Sequence, residues 1–158
     1  MYSHTLVRKF LDLKNVPYTH HIHPTAYTAQ EVAQEERVPG VMVAKTVVIK
    51  WDGDYAMAVL PASKKVDLVN LRDALRAQEI RLATEWEFRS LFPDSDLGAM
   101  PPFGNLYGIP VYVEESLTHD EEIVFNAGTH QDTIRMKYQD FASLVKPKVY
   151  TFALSQAA

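Results

Sequence analysis

Lys45 stands in a row of apolar side chains. In Val43-Ala44-Lys45-Thr46-Val47-Val48-Ile49-Lys50-Trp51, strand alternation puts Val43, Lys45, Val47, Ile49 and Trp51 on one side. A lysine ammonium is seldom fully buried without a partner, and burial disfavours its charged form. Two arrangements satisfy the pattern: an amine that snorkels to water from the start of a strand, or one held at the lip of a pocket. Imidazoles are the next candidates. His21 and His23 alternate onto one face, a spacing that offers two ligands to a metal, but a third ligand is not evident nearby and no His-Glu-x-x-His pattern occurs. His130 follows Asn126-Ala127-Gly128-Thr129, as either an exposed loop histidine or a site residue. Cysteine is absent, which excludes a thiol nucleophile, a disulfide framework and a thiolate metal site.

The least regular stretch is Asp96 to Gly108, with three glycines and the pair Pro101-Pro102. Such a loop is stiff at the prolines and lets backbone approach a ligand at Gly98 and Gly104. Backbone N–H groups around Gly98 to Met100 are suited to an oxyanion, although glycine-proline loops also serve as plain connectors.

These residues must be held by regular elements. Ser3 to Asn15 has helical spacing, with Leu6, Phe10 and Leu13 on one stripe and Val7 and Leu11 beside it. Tyr18 to His23 alternates as a short strand. Thr28-Ala29-Gln30-Glu31 is a capping box opening a helix to about Arg37, which Pro39-Gly40 stops. Asp52-Gly53 between Trp51 and Tyr55-Ala-Met-Ala-Val-Leu60 signals a hairpin whose second arm, apolar on both faces, belongs in the middle of a covered sheet. Pro61 to Lys65 reads as a polar loop, and Asp67 caps a helix to about Ala77 with Leu68, Leu71 and Leu75 inward. Arg81 to Ala83 is a short strand. A second capping box at Thr84 to Glu87 opens a helix whose Trp86, Phe88, Leu91 and Phe92 read as core, not as a base-stacking platform. Strands follow at Ile109 to Val113, Glu121 to Phe125 and Thr133 to Lys137, then a helix from Tyr138 to Val145 and a loose end.

At 158 residues and 47% hydrophobic content, the chain fits one compact domain over residues 1–158. Its formal net charge of −4 gives no general nucleic-acid footprint, so a nucleic-acid partner requires a local basic patch, for which Lys45, Lys50, Lys64, Lys65 and Arg72 are candidates. No apolar run approaches the roughly 18 residues of a membrane span. The expectation is a soluble, cytoplasmic protein without a membrane partner.

Three motifs, in order, carry a resemblance: Ala44-Lys45-Thr46 opening the strand, Gly98-Ala99-Met100-Pro101-Pro102-Phe103, and Phe125-Asn126-Ala127-Gly128 before the last strand. The chain resembles the YbaK/EbsC family, free-standing relatives of the editing domain inserted in bacterial prolyl-tRNA synthetases, from the first helix to about Pro147. The resemblance implies an α/β fold of the α+β type, with a mixed, largely antiparallel central sheet surrounded by helices. It implies hydrolysis of mischarged aminoacyl-tRNA, with no cofactor, no metal and no DNA partner, and with an aminoacyl-tRNA synthetase as a candidate partner. Lys45 is then the catalytic lysine, positioning the terminal adenosine or its phosphate and favouring negative charge at the ester carbonyl. Thr46, Gly98, Ala99, Met100, Pro101, Pro102, Phe103, Asn126, Gly128, His130 and His23 are the implied substrate-binding residues. The Gly-Ala-Met-Pro-Pro-Phe loop leans towards relatives acting on alanine, serine or threonine rather than cysteine, with prolyl-tRNA the family default. A non-catalytic nucleotide- or tRNA-binding module of the same fold is the alternative.

Overall fold

The computed structural model describes residues 6–155. Helix α1, Leu6–Leu13, opens the described chain; residues 3–5 of the expected helix lie outside it. The face it buries is Val7 and Leu11, whereas Leu13 is 81% exposed and Leu6 also meets solvent, so the inward stripe is rotated from the expected Leu6-Phe10-Leu13. Strand β1, Thr19–Ile22, leads to α2, Ala29–Glu36. Thr28 accepts from the N–H of Glu31 while the Glu31 carboxylate accepts from the N–H of Thr28, as the capping box requires. Arg37, in the left-handed conformation, ends α2 two residues before Pro39.

Strands β2, Ala44–Trp51, and β3, Asp54–Pro61, form the expected antiparallel hairpin. Asp52 and Gly53 both have positive φ, 47° and 88°, the type I′ geometry that matches the twist of the strands. Lys64 and Lys65, expected in a loop, belong to β4, Lys64–Val66. Helix α3, Leu68–Leu75, is capped by the Asp67 carboxylate, and β5, Ile80–Leu82, pairs with the end of β2. Helix α4, Glu85–Phe88, is one turn continued by a 3-10 turn over Arg89–Leu91. Phe88 and Phe92 enter the core, but Trp86 is 78% exposed, a correction to the reading of this aromatic run as core. Beyond the loop come β6, Val111–Glu114; β7, Glu122–Asn126; β8, Asp132–Lys137; and α5, Tyr138–Val145. The end is not loose as far as residue 155: β9, Lys148–Tyr150, and β10, Ala153–Ser155, follow α5.

The architecture is mixed α/β. A five-stranded sheet has the order β5-β2-β3-β6-β9, a three-stranded sheet β1-β8-β7, and β10 pairs with β4. Among the described residues only β3-β6 and β6-β9 are parallel strand pairings, so the strand pairing is largely antiparallel. The main core joins the two larger sheets: Ala44, Val48, Met57 and Val59 share it with Ile123, Phe125, Ile134 and Met136, and α1, α4 and α5 add Leu11, Phe88 and Phe141. The opposite face of the five-stranded sheet packs Ile49, Ala58 and Leu60 against Leu71 and Phe152. Helix α2 covers the opposite face of the smaller sheet through Val32 and Ala33 on Val43 and Val124. Central β3 is thus buried on both faces, as its unalternating sequence requires.

Candidate active site

The two larger sheets touch at one isolated parallel bridge, Val43 to Val124. Lys45 and Asn126 stand two residues beyond it in sequence, each held in its own sheet, Lys45 opposite Leu60 in β3. Asn126 is opposite Thr133 in the β7-β8 ladder, so these two side chains share a face.

Lys45 is half-buried and donates to the carbonyl of Ala62 at 3.4 Å. It lines an open cleft of about 320 Å³ with Thr28, Ala29, Gln30 and Ala62. Burial lowers its pKa from the ordinary lysine value, because the ammonium loses hydration. The lysine neither snorkels freely nor disappears into the core; its strand neighbours Val47 and Ile49 do the packing.

Next to Thr28, the exposed ring of Tyr27 lies on that of His130, with centroids 4.9 Å apart and planes 54° apart. The His130 Nε2–H donates to the carbonyl of Leu97 at 3.0 Å, and Gly98 is beside the ring: a Cβ there would stand 3.5 Å from His130 Cε1. Gly98 has φ +87°, a conformation that favours glycine. Backbone bonds tie the same pieces together, from Asp96 N–H to Gly128 and from Gly128 N–H to Ala99. The N–H of His23 donates to Gln131, and that of Ala26 to His130. His23 is buried, and its Nδ1–H donates to the carbonyl of Pro24. The structure therefore brings His23, Gly98, Gly128 and His130 into one assembly, and the segment from Tyr27 to Gln30 joins that assembly to the Lys45 cleft.

The rest of the loop faces inward. Ala99, Met100, Pro101, Pro102 and Phe103 are buried, with Met100 and Phe103 in the main core. The N–H of Ala99 already donates to Asp96, and that of Gly98 contacts the Met100 sulfur. Gly104 approaches the protein itself and not a ligand: a Cβ would lie 2.5 Å from the Ile109 carbonyl oxygen and 2.7 Å from Val111 Cγ2. Of the loop, Gly98 alone is exposed between Gly98 and Gly104.

Several of the candidate residues carry a buried polar atom without a hydrogen-bond partner among the described residues: His23 Nε2, Thr46 Oγ1, Asn126 Oδ1 and His130 Nδ1. Thr133 Oγ1, opposite Asn126, is another. Leaving such a group unpaired costs about 1–3 kcal/mol, and Arg8 Nε, Trp51 Nε1 and Asp120 Oδ2 are further examples away from the candidate site. Thr133 and Tyr27 escape sequence reasoning. Thr133 is an ordinary strand residue until the register sets it against Asn126, and Tyr27 is an unremarkable residue before a cap until the fold lays it on His130. Thr46 points from β2 to the opposite side from Lys45, towards the face of Ala44 and Val48. His21 pairs with Glu36 at 2.8 Å and is not directed at His23. Among the described residues no group of three or more His, Cys, Asp or Glu side chains is placed to hold a metal ion.

Residues 23–144 match the model of the aminoacyl-tRNA editing domain. The chain belongs to that family. Over 91 residues it is 31% identical to a proline–tRNA ligase of Heliobacterium modesticaldum, a match covering 58% of this chain and 16% of the ligase, so it corresponds to a small part of that enzyme. Among solved structures it resembles a protein proposed as a trans-editing enzyme for prolyl tRNA synthetase, with a TM-score of 0.81, 20% identity and 96% and 95% of the two chains covered. It also resembles a hypothetical protein, with a TM-score of 0.85, 17% identity and 94% and 99% coverage. Together these similarities show the editing-domain fold. No helix among the described residues of this editing domain is long and apolar enough to cross a membrane.

Proposed function

We propose that this editing domain is a trans-acting deacylase that hydrolyses the ester of mischarged aminoacyl-tRNA. The supporting observation is Lys45, a half-buried ammonium with no carboxylate partner among the described residues, lining a cleft with Thr28, next in sequence to the Tyr27 that meets His130 beside Gly98. Holding a cation partly out of water is unfavourable unless an anionic or strongly polar guest uses it. The 3′-terminal adenosine with its phosphate supplies the anion, and the ester carbonyl develops negative charge as it is attacked. Water attacks the carbonyl carbon, its oxygen forms the new C–O bond, the ester C–O bond breaks, and free amino acid and the tRNA ribose hydroxyl leave. Lys45 positions and stabilises charge in this reading and is not the nucleophile, because its amine would first have to lose a proton.

The aminoacyl group lies towards Gly98, whose exposed backbone is the open part of its loop, with His130, Asn126 and Gly128 on the other side and Thr46, Ala99, Met100, Pro101, Pro102 and Phe103 backing the wall from the core. The small amino acids alanine, serine and threonine are favoured over cysteine, and tRNA-Pro or a related tRNA is the carrier. Such editing is needed because a synthetase pocket separates side chains one methylene apart by only about 1–3 kcal/mol. A cytoplasmic setting and a synthetase that hands over tRNA fit the same reading, as does a single domain over residues 1–158. The net charge of −4 keeps a second reading in view, a module that binds the acceptor end without hydrolysing it. Deacylation of a panel crossing amino acids with tRNAs, by wild type and Lys45→Ala, separates the two. The deacylase reading fails if the wild type releases no amino acid above the uncatalysed rate.

A further inference from the structure

The turn that carries His130 is held by side chains that the deacylase reading does not use. Residues 127–131 join β7 to β8, and the Thr129 hydroxyl ties the turn to itself. It accepts from the N–H of Gln131 at 3.1 Å and from that of Asp132 at 3.0 Å, and it donates to the Asp132 carboxylate oxygen Oδ2. A hydroxyl has one proton and two lone pairs, so all of them are used. The other carboxylate oxygen, Oδ1, accepts from His20 Nε2–H at 2.7 Å, which reaches across from β1. Register explains the reach. Ile22 is opposite Asp132 and His20 opposite Ile134, so His20 and Asp132 are diagonal neighbours on one face of the sheet. Their side chains are only 18% and 16% exposed. The segment before α2 adds to the hold: the N–H of His23 donates to the Gln131 carbonyl, that of Ala26 to the His130 carbonyl, and Gln131 Nε2 to the Thr25 hydroxyl.

We propose that Asp132 is a positioning residue: through Thr129 it fixes the turn so that the His130 ring stays against Tyr27 and beside Gly98. Taking a carboxylate largely out of water is unfavourable unless its oxygens find donors, and here each oxygen has one, from two different strands' worth of structure. His130 has orienting contacts of its own, the Nε2–H bond to Leu97 and the Tyr27 ring, but both come from other segments. They are met only while the His130 backbone keeps its place, two residues from Asp132. Its Nδ1 has no hydrogen-bond partner among the described residues, so no bond on that side of the ring opposes a swing. Asparagine at 132 has a single acceptor oxygen and therefore leaves either the Thr129 hydroxyl or the His20 N–H without a partner. Asp132 acts through His130 and not by contact with the substrate. Its effect on rate rests on the deacylase reading, whereas the placement of the ring does not.

The test has two readouts on the full chain. In protein labelled with ¹³C-histidine, the His130 ring signals are those missing from His130→Ala, and the Tyr27 ring shifts them. Asp132→Asn and Thr129→Val move the His130 Cε1–H signal towards its position in Tyr27→Ala, and Thr129→Ser, which restores the hydroxyl, returns it to the wild-type position. In deacylation of alanyl-tRNA-Pro, Asp132→Asn and Thr129→Val lower kcat by about tenfold or more, within the roughly 10²-fold that a 1 Å misplacement can cost, with KM changed less. Adding Asp132→Asn to His130→Ala lowers its residual rate by no more than about twofold, since the group being positioned is already gone. Thermal unfolding confirms that each variant is folded at the assay temperature; if Asp132→Asn does not fold, the Thr129→Val and Thr129→Ser pair decides. A folded Asp132→Asn variant with an unmoved His130 signal overturns the proposal, as does full additivity with His130→Ala. A wild type that deacylates nothing defeats the deacylase reading instead, and the ring signal alone then decides whether Asp132 places His130.

Discussion

Tyr27 lies on His130, and the pair closes one end of the assembly that includes Gly98. The tyrosine is placed by its own backbone, whose N–H donates to the Glu31 carboxylate at 3.0 Å, so the α2 capping box also sets the position of the ring. If the two rings act as a unit on the aminoacyl group, Tyr27→Ala and His130→Ala each lower kcat/KM for deacylation, and the double variant loses less than the product of the two. The expected coupling is about 0.5–1.5 kcal/mol, and strict additivity would show that the contact is incidental.

Lys45→Ala should reduce deacylation by about 10²-fold or more, the usual loss when one charge-stabilising group is removed. Burial lowers the pKa of this lysine, so its ammonium is lost as pH rises through a value below that of an ordinary lysine. Activity therefore falls on an alkaline limb that starts earlier than an exposed lysine would give. Lys45→Arg keeps its charge throughout and removes the limb, whatever its overall rate. A wild-type profile that is flat through the alkaline range argues against this role.

Glu114 is nearly fully buried and accepts from the N–H and hydroxyl of Ser116 and from the N–H of Phe152. Burial alone would raise its pKa, but these hydrogen bonds and the charge of Lys64 bring it below the ordinary carboxylate value. A depressed folded pKa contributes stability that is present above the unfolded value and lost as pH falls through the folded one. Glu114→Gln should cost about 1.5–3 kcal/mol at neutral pH and flatten the acid limb of a melting-temperature profile.

Asp120 works in the opposite direction. Burial raises its pKa from 3.8 to about 6, and its Oδ2 has no hydrogen-bond partner among the described residues. Its raised pKa favours the fold below the unfolded value, and that contribution disappears as pH rises through about 6. Asp120→Asn is thus expected to raise the melting temperature at pH 7 and to leave it nearly unchanged at pH 4. An equal shift at both would locate the effect in packing.

Gly104→Ala places a methyl group against the backbone oxygen of Ile109, which cannot rotate away. The expected loss is about 1–3 kcal/mol in a denaturant titration. At Gly53, where nothing lies within 4 Å, the cost of the same change comes from its positive φ alone and should be smaller.

Local signals were the most legible. The two capping boxes, the Asp52-Gly53 turn, the Asp67 cap and the α5 boundaries all depend on residues within a few positions of each other, and they stand where their chemistry puts them. What failed was non-local. Leu6 and Leu13 are as apolar as Val7 and Leu11, and only the position of the sheets decides which pair is covered. Lys64 and Lys65 look like loop residues until β10 arrives to pair with them. Trp86 belongs to an apolar run by composition, but a single helical turn has room for only part of that run in the core. In the site, Lys45 stood out because it broke a pattern, whereas Thr133 breaks none and is set against Asn126 only by strand register.

The last strands matter for the order of assembly during synthesis. The parallel edge β9 joins β6, and β10 joins β4 across almost ninety residues, with Phe152 sealing the face between them. Loop closure over such separations is slow, and it cannot begin while these residues are still inside the ribosomal tunnel. A nascent chain therefore holds β4 and the β6 edge unpaired until elongation has passed the final strand, and an aggregation-suppressing chaperone would find its binding surface there rather than at the early β2-β3 hairpin.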